Sequence, residues 1–331
     1  MRVAVFDTHK FERPFLEEAN AGKHALKFLE VRLSAETAVL AEGCEAVCCF
    51  ANDKADAKAL EILEGLGIRL IALRSAGFNQ VDIVKAAALG LTVVRVPEYS
   101  PYAVAEHAVA LLLCLNRKIH KAHNRIHDLN FSLDGLLGFD LHGKTVGVIG
   151  TGRIGKAFAQ IMRGFGCKIL VYDKFPNSSW AEAIGASYVD RKTLARECDV
   201  VSLHIPLSAD TRHLLDKGFF AEMKKEAILV NTGRGALVDT VALIEALKSR
   251  RLGGAALDVY EEEEGVFFSD LSETGIDDDI LARLLTFPNV LVTAHQGFFT
   301  REALKNIAET TISNITLFEN NLDLSAVQVS P

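Results

Sequence analysis

Short apolar pulses recur along the chain, with helically spaced stretches between them. Residues 2–6, 46–50, 70–73 and 92–96 are brief and rich in Val, Ile or Phe, whereas 15–19, 55–66 and 81–89 space their apolar residues three and four apart. That alternation predicts parallel strands joined by crossover helices. Pro97 and Pro101 interrupt it, since prolines so placed carry neither a strand nor a helix through. Beyond them, 102–123 reads as one long helix with a broad face of Ala, Val and Leu. A second alternation starts at Lys144, with strand candidates at 145–149, 168–172, 200–204, 228–231, 255–259 and 290–293. Helical stretches at 154–165, 192–197 and 240–249 lie among them. Strands and helices in this order match a doubly wound parallel sheet.

The tail, 301–321, has apolar residues at helical spacing and follows the last strand of the second series. It is therefore expected to return to the first series. The chain is expected to divide into a discontinuous domain, 1–99 with 297–331, and a continuous one, 100–296.

Composition narrows the function classes. The 331 residues are 49% hydrophobic and 24% charged, which excludes disorder as the dominant state. A formal charge of −7 disfavours broad binding to nucleic acid or anionic membranes, so neither is expected as a partner. The six cysteines form no C-x-x-C pair and have no zinc-like spacing with histidine, so no metal is expected and reduced thiols are. The first ten residues are too polar for a secretory signal, and the apolar stretch at 108–115 falls far short of the ~18 residues of a membrane span. A soluble, cytoplasmic protein is expected.

Two constellations carry candidate chemistry. The run GTGRIG at 150–155 follows a strand and opens a helix. Gly150 allows the tight turn, Gly152 admits a pyrophosphate to the backbone, and Gly155 permits close helix–strand packing. Asp173, at the end of the next strand, suits the ribose hydroxyls and repels a 2′-phosphate, which favours NAD over NADP. Lys174 beside it works the other way. Further on, Arg234, the acidic stretch from Asp258 through Glu261, Glu262, Glu263 and Glu264, and His295 each follow a strand candidate. The carboxyl ends of parallel strands line the ligand crevice, so these residues are expected to meet beside the nicotinamide. An arginine fork holds a carboxylate, a protonated imidazole gives a proton to a carbonyl oxygen, and a carboxylate stabilises the imidazolium. Singly, each charge reads as solvated surface; beside the nucleotide motif, the catalytic reading is the better one.

Over nearly its whole length the chain resembles the D-isomer-specific 2-hydroxy-acid dehydrogenases, above all their fermentative bacterial members. The resemblance rests on LRSAGFNQVD at 73–82, VPEYSP at 96–101 with AEH at 105–107, the glycine run, HIPL at 204–207, NTGRGALVD at 231–239, GAALDVY at 254–260, and HQ at 295–296. It implies an α/β protein with a doubly wound Rossmann NAD-binding domain and a smaller flavodoxin-like catalytic domain. It implies reversible reduction of pyruvate to D-lactate by NADH, or of glyoxylate, hydroxypyruvate or a larger 2-oxo acid, and, as a lesser alternative, a non-catalytic NAD-sensing scaffold like the family's corepressors. Arg234 would bind and polarise the substrate, His295 would be the acid/base, and Glu263 its partner. Ala76 and Gly77 would hold the carboxylate. Gly150, Gly152, Arg153, Ile154, Gly155, Asp173, Ile205, Pro206, Thr211, Thr232, Gly233 and Asp258 would line the cofactor. Phe50, Tyr99 and Phe299 are candidates for a small apolar wall. Gly297 is expected to loosen the entry into the last helix. The apolar face at 105–115, with the extension 120–142, is expected to form a symmetric homodimer or part of a homotetramer.

Overall fold

The computed structural model describes residues 1–263 and 265–331, so Glu264 lies outside the described residues. Two compact units form, Met1–Ser100 with Phe299–Pro331, and Pro101–Phe298. In chain order the strands are β1 (Arg2–Val5), β2 (Ala25–Phe28), β3 (Ala46–Cys49), β4 (Leu70–Leu73), β5 (Thr92–Val94), β6 (Thr145–Ile149) and β7 (Lys168–Tyr172). They continue with β8 (Ala186–Tyr188), β9 (Val200–Leu203), β10 (Ile228–Asn231), β11 (Gly254–Leu257), β12 (Val290–Val292) and β13 (Gln328–Val329).

In the first unit the sheet order is β13-β5-β4-β3-β1-β2, all parallel except β13. Its five parallel strands have the flavodoxin-like order. The central strands are apolar at every position because both faces are covered. Val47, Ile71 and Val93 point into one core, while Val5, Cys48, Leu70 and Val94 point into another, which Ala308, Ile312 and Ile315 of the helix Arg301–Glu319 complete. The tail thus returns to the first sheet.

In the second unit seven parallel strands run β12-β11-β10-β9-β6-β7-β8. The chain starts in the middle at β6, winds outward to β8, and then crosses to β9. The carboxyl ends of β6 and β9 therefore flank the topological switch point, where a doubly wound sheet binds its ligand.

Three departures from the sequence expectation have local causes. β2 and β8 are short edge strands with exposed positions, so they lack the apolar pulse that marks the others. The helix expected at 102–123 breaks at Lys118, whose φ of +50° is left-handed, giving Pro101–Arg117 and Ile119–His127. The face at 105–115 packs inside the second unit: Ala105, Ala108 and Leu112 share a core with Phe158 and Met162. That half of the expected self-association surface is consumed internally. The segment beyond it exposes Leu129, Phe131, Leu133 and Leu137.

Candidate active site

The switch point is built by close packing. Gly150 sits at φ +99°, and a Cβ there would collide with the carbonyl of His204. A Cβ on Gly155 would strike the carbonyl of Gly150. Gly152, the N-cap of the helix Arg153–Gly164, instead faces open space, which leaves its backbone approachable. Arg153 and Ile154 open that helix. Beneath the turn, burial holds the His204 imidazole neutral, pushing its pKa down to about 3, and its Nε2 pairs with Ser202 Oγ at 2.9 Å.

Asp173 stands at the end of β7. Its Oδ2 accepts from Thr151 N at 2.6 Å and Thr151 Oγ1 at 3.0 Å, and its Oδ1 from Phe175 N at 2.8 Å. Lys174 pairs with Asp210 at 3.7 Å, two exposed side chains. After β9 comes a strap that begins with Ile205 and Pro206. Thr211 Oγ1 pins it, donating to Pro206 O at 2.8 Å and accepting from Ser208 N at 2.8 Å. After β10, the hydroxyl of Thr232 is buried with no partner among the described residues. A buried hydroxyl calls for a partner. Together with the open edge at Gly152 and the carboxylate at Asp173, it fits a dinucleotide.

The ends of β10, β11 and β12 carry the charged residues. His295 Nδ1 donates to Glu263 Oε2 at 2.8 Å, and Glu263 Oε1 accepts from Tyr260 N at 3.0 Å. A carboxylate only accepts, so Nδ1 holds the proton and Nε2 is the ring atom left for chemistry. His295 has a left-handed φ of +51°, and its N–H donates to Asp258 O at 2.7 Å.

Asp258 organises that turn. Its Oδ1 accepts from His107 Nε2 at 3.1 Å, Thr293 Oγ1 at 2.5 Å and Gln296 N at 2.9 Å, and its Oδ2 from Gly297 N at 2.7 Å. Burial alone would raise this carboxyl, but the hydrogen bonds from His107, Thr293 and Gln296 outweigh it and hold the pKa below the usual range. Gly297 is therefore fixed and buried, and the expected looseness at that point is corrected.

Arg234 is half-buried, with Nη1 donating to Gly233 O at 2.7 Å. The Asn231 amide clamps this loop, donating to Arg234 O at 2.9 Å and accepting from Gly233 N at 3.1 Å. A Cβ on Gly235 would overlap the backbone of Tyr260 and Glu261. The arginine loop thus lies flush against the segment that carries Glu263.

The remaining candidates lie in the first unit. The carbonyl of Ala76 accepts from Arg95 Nη1 at 2.9 Å and that of Gly77 from Ser75 Oγ at 2.7 Å. The N–H groups of Ala76 and Gly77 form no hydrogen bond among the described residues. Phe50 is buried, its ring over Arg74, whose guanidinium pairs with Glu12 through two bonds of 2.9 and 3.0 Å. Phe299 is half-exposed and meets Phe11 edge-on at 4.8 Å; Phe11 lies 6.4 Å from Phe50. Tyr99 is half-buried and its carbonyl accepts from Asn306 Nδ2 at 2.6 Å. Sequence reasoning missed Phe11, Asn231, His107 and Thr293. Of these, Asn231 and His107 fall inside quoted motifs, which was the available signal.

A glycine turn at a switch point, a carboxylate at the end of the next strand and an imidazole–carboxylate pair at neighbouring strand ends fit an NAD-dependent oxidoreductase. Residues 109–297 match the family described as D-isomer specific 2-hydroxyacid dehydrogenase, NAD binding domain. The chain is 50% identical over 325 residues to 2-hydroxyacid dehydrogenase homolog 1 of Schizosaccharomyces pombe, covering 97% of this chain and 98% of that one. It is 48% identical over 320 residues to the D-lactate dehydrogenase of Escherichia coli, covering 96% and 97%. The apo-structure of the Escherichia coli D-lactate dehydrogenase superposes with a TM-score of 0.90 at 45% identity, covering 99% of each chain. The chain belongs to the D-isomer specific 2-hydroxyacid dehydrogenase family.

Proposed function

We propose that this dehydrogenase reduces pyruvate to D-lactate with NADH, reversibly. The observation that carries the reading is the 2.8 Å pair between His295 and Glu263 at the end of the nucleotide-binding sheet. The similarity to the D-lactate dehydrogenase of Escherichia coli supports both the acid and its handedness.

NADH, when bound, supplies the hydride. The chain's residues do the rest. Arg234 holds and polarises the substrate through its planar fork. His295 gives a proton from Nε2 to the carbonyl oxygen as the carbon is reduced, and Glu263 compensates the charge the ring carries beforehand. In the first unit, the N–H groups of Ala76 and Gly77, without a hydrogen bond among the described residues, suit a carboxylate, and Phe50, Tyr99 and Phe299 suit a methyl-sized group. Gly150, Gly152, Arg153, Ile154, Gly155, Ile205, Pro206, Thr211, Thr232, Gly233 and Asp258 are assigned to the cofactor. Asp173 selects NAD, because its charge repels a 2′-phosphate.

A fermentative role in the cytoplasm accords with the cysteines, all free thiols, and with the lack of any described helix long and apolar enough to cross a membrane. A homodimer or homotetramer is supported by the exposed apolar side chains between Leu129 and Leu137.

The test is a panel of pyruvate, glyoxylate, hydroxypyruvate and phenylpyruvate with NADH and with NADPH, followed by chiral analysis of the product. Highest kcat/KM for pyruvate with NADH, yielding D-lactate, is expected. A clear preference for another acid, L-lactate as product, or NADH binding without turnover would overturn the proposal.

A further inference from the structure

Glu261 opens the acidic run and reads by sequence as solvated, yet its side chain is only 14% exposed. Its carboxylate accepts from Arg212 Nη2 at 3.0 Å, His213 Nε2 at 2.5 Å and Thr240 Oγ1 at 3.3 Å. A bond from a guanidinium to a carboxylate is among the stronger ones available to a side chain. Glu262, its neighbour, is exposed.

The partners matter for where they sit. Arg212 and His213 directly follow Thr211, which pins the strap after β9. His213 takes a left-handed φ of +51°, and its N–H donates to Ala236 O at 2.8 Å. Thr240 begins the helix Thr240–Lys248. Three segments, 206–213, 235–240 and 260–263, thus meet at one carboxylate. Two residues further on, Glu263 holds His295. The bond from Tyr260 N to Glu263 fixes the shape of the 260–263 turn but not its place on the sheet. Gly235 bounds that turn on one side, and Glu261 ties it on another.

We propose that Glu261 is a positioning residue that ties the nucleotide strap to the turn bearing Glu263, so that the Glu263–His295 spacing and the strap depend on one another. This rests on the reading of His295 and Glu263 as the proton-transfer pair, and extends it. A displacement of about 1 Å at such a pair costs on the order of 100-fold in rate.

The experiment uses the full chain with Glu261→Ala, Glu261→Gln and Glu262→Ala. It measures kcat, the pH profile of kcat/KM for the preferred 2-oxo acid, NADH affinity by fluorescence titration, and Tm. For Glu261→Ala, kcat is expected to fall about 10- to 100-fold, the histidine limb of the pH profile to move, and NADH to bind several-fold more weakly. Glu261→Gln keeps the shape and one acceptor oxygen and should recover most of the loss, while Glu262→Ala should match the wild type throughout. Wild-type kcat and pH profile in Glu261→Ala would overturn the tie. So would a lowered Tm and kcat with the pH limb and NADH affinity unmoved, or an equal loss in Glu262→Ala. If the wild type reduces no 2-oxo acid, the proton-transfer reading fails by itself. NADH titration then judges the tie: weaker binding in Glu261→Ala upholds it, and unchanged binding overturns it.

Discussion

His295 keeps its backbone at φ +51°, where an L side chain is strained, and its contacts with Asp258 and Glu263 hold it there. The strain places the imidazole at the strand end with one nitrogen committed and the other available. Substituting His295→Ala is therefore expected to lower kcat by about 10²- to 10⁴-fold, the usual share of a general acid. The Kd for NADH should stay within about twofold of wild type, because the groups assigned to the nucleotide lie on other strand ends. Steady-state kinetics and a fluorescence titration check both; retained turnover would remove His295 as the proton donor. Arg234 and His295 stood out as candidates because each is a reactive side chain placed after an apolar run, whereas the family resemblance alone singled Glu263 out of its acidic stretch. Asn231 and His107 fell within quoted motifs and Thr293 did not, but nothing in the chain assigned any of the three a task. Their work is to hold backbone and carboxylate oxygens in place, and such geometry leaves no mark in residue spacing.

At the scale of elements, β6 and β9 were legible because parallel strands covered on both faces are mostly apolar, with only Thr145 and Ser202 departing from that here. Edge strands escape that rule: β2 alternates exposed and half-buried positions, and β13 pairs antiparallel through only two residues. The break at Lys118 was equally invisible, since the residues on either side of it keep helical spacing. The half-buried His204, just past β9, gives this region a pH signature through its desolvated imidazole. Its pKa is about 3 when folded and near 6.5 when unfolded. The unfolded chain therefore binds the extra proton first, so the stability is complete above pH 6.5 and declines as pH falls towards 3. The slope from this one group is at most about 1.4 kcal/mol per pH unit. Urea melts of the wild type between pH 7 and pH 5 should show the decline, and His204→Gln should show less of it. An identical pH dependence in the variant would assign the effect elsewhere.

For the whole molecule, composition and charge marked a folded chain with material for large cores, the succession of strands and helices marked a doubly wound second sheet, and the family resemblance implied the flavodoxin-like first one; the strand orders themselves are visible only in the structure. What the pattern could not separate was a face buried within the chain from one left for another copy, because both are equally apolar. The 105–115 face proved internal, whereas Leu133 and Leu137 are 82% and 88% exposed. If this stretch carries the proposed self-association, Leu133→Lys with Leu137→Lys should convert the oligomer to monomer in sedimentation velocity. A monomeric wild type, or an unchanged variant, would refute it. Lastly, the seam where Gly235 lies against Tyr260 and Glu261 leaves no room for a methyl group. The guanidinium loop and the acid-bearing turn thus cannot approach more closely, and a side chain at Gly235 would force them apart. A lineage of such chains acquiring new substrates would have to find its variety away from that seam, because any side chain added there would push the guanidinium loop off the turn that holds Glu263.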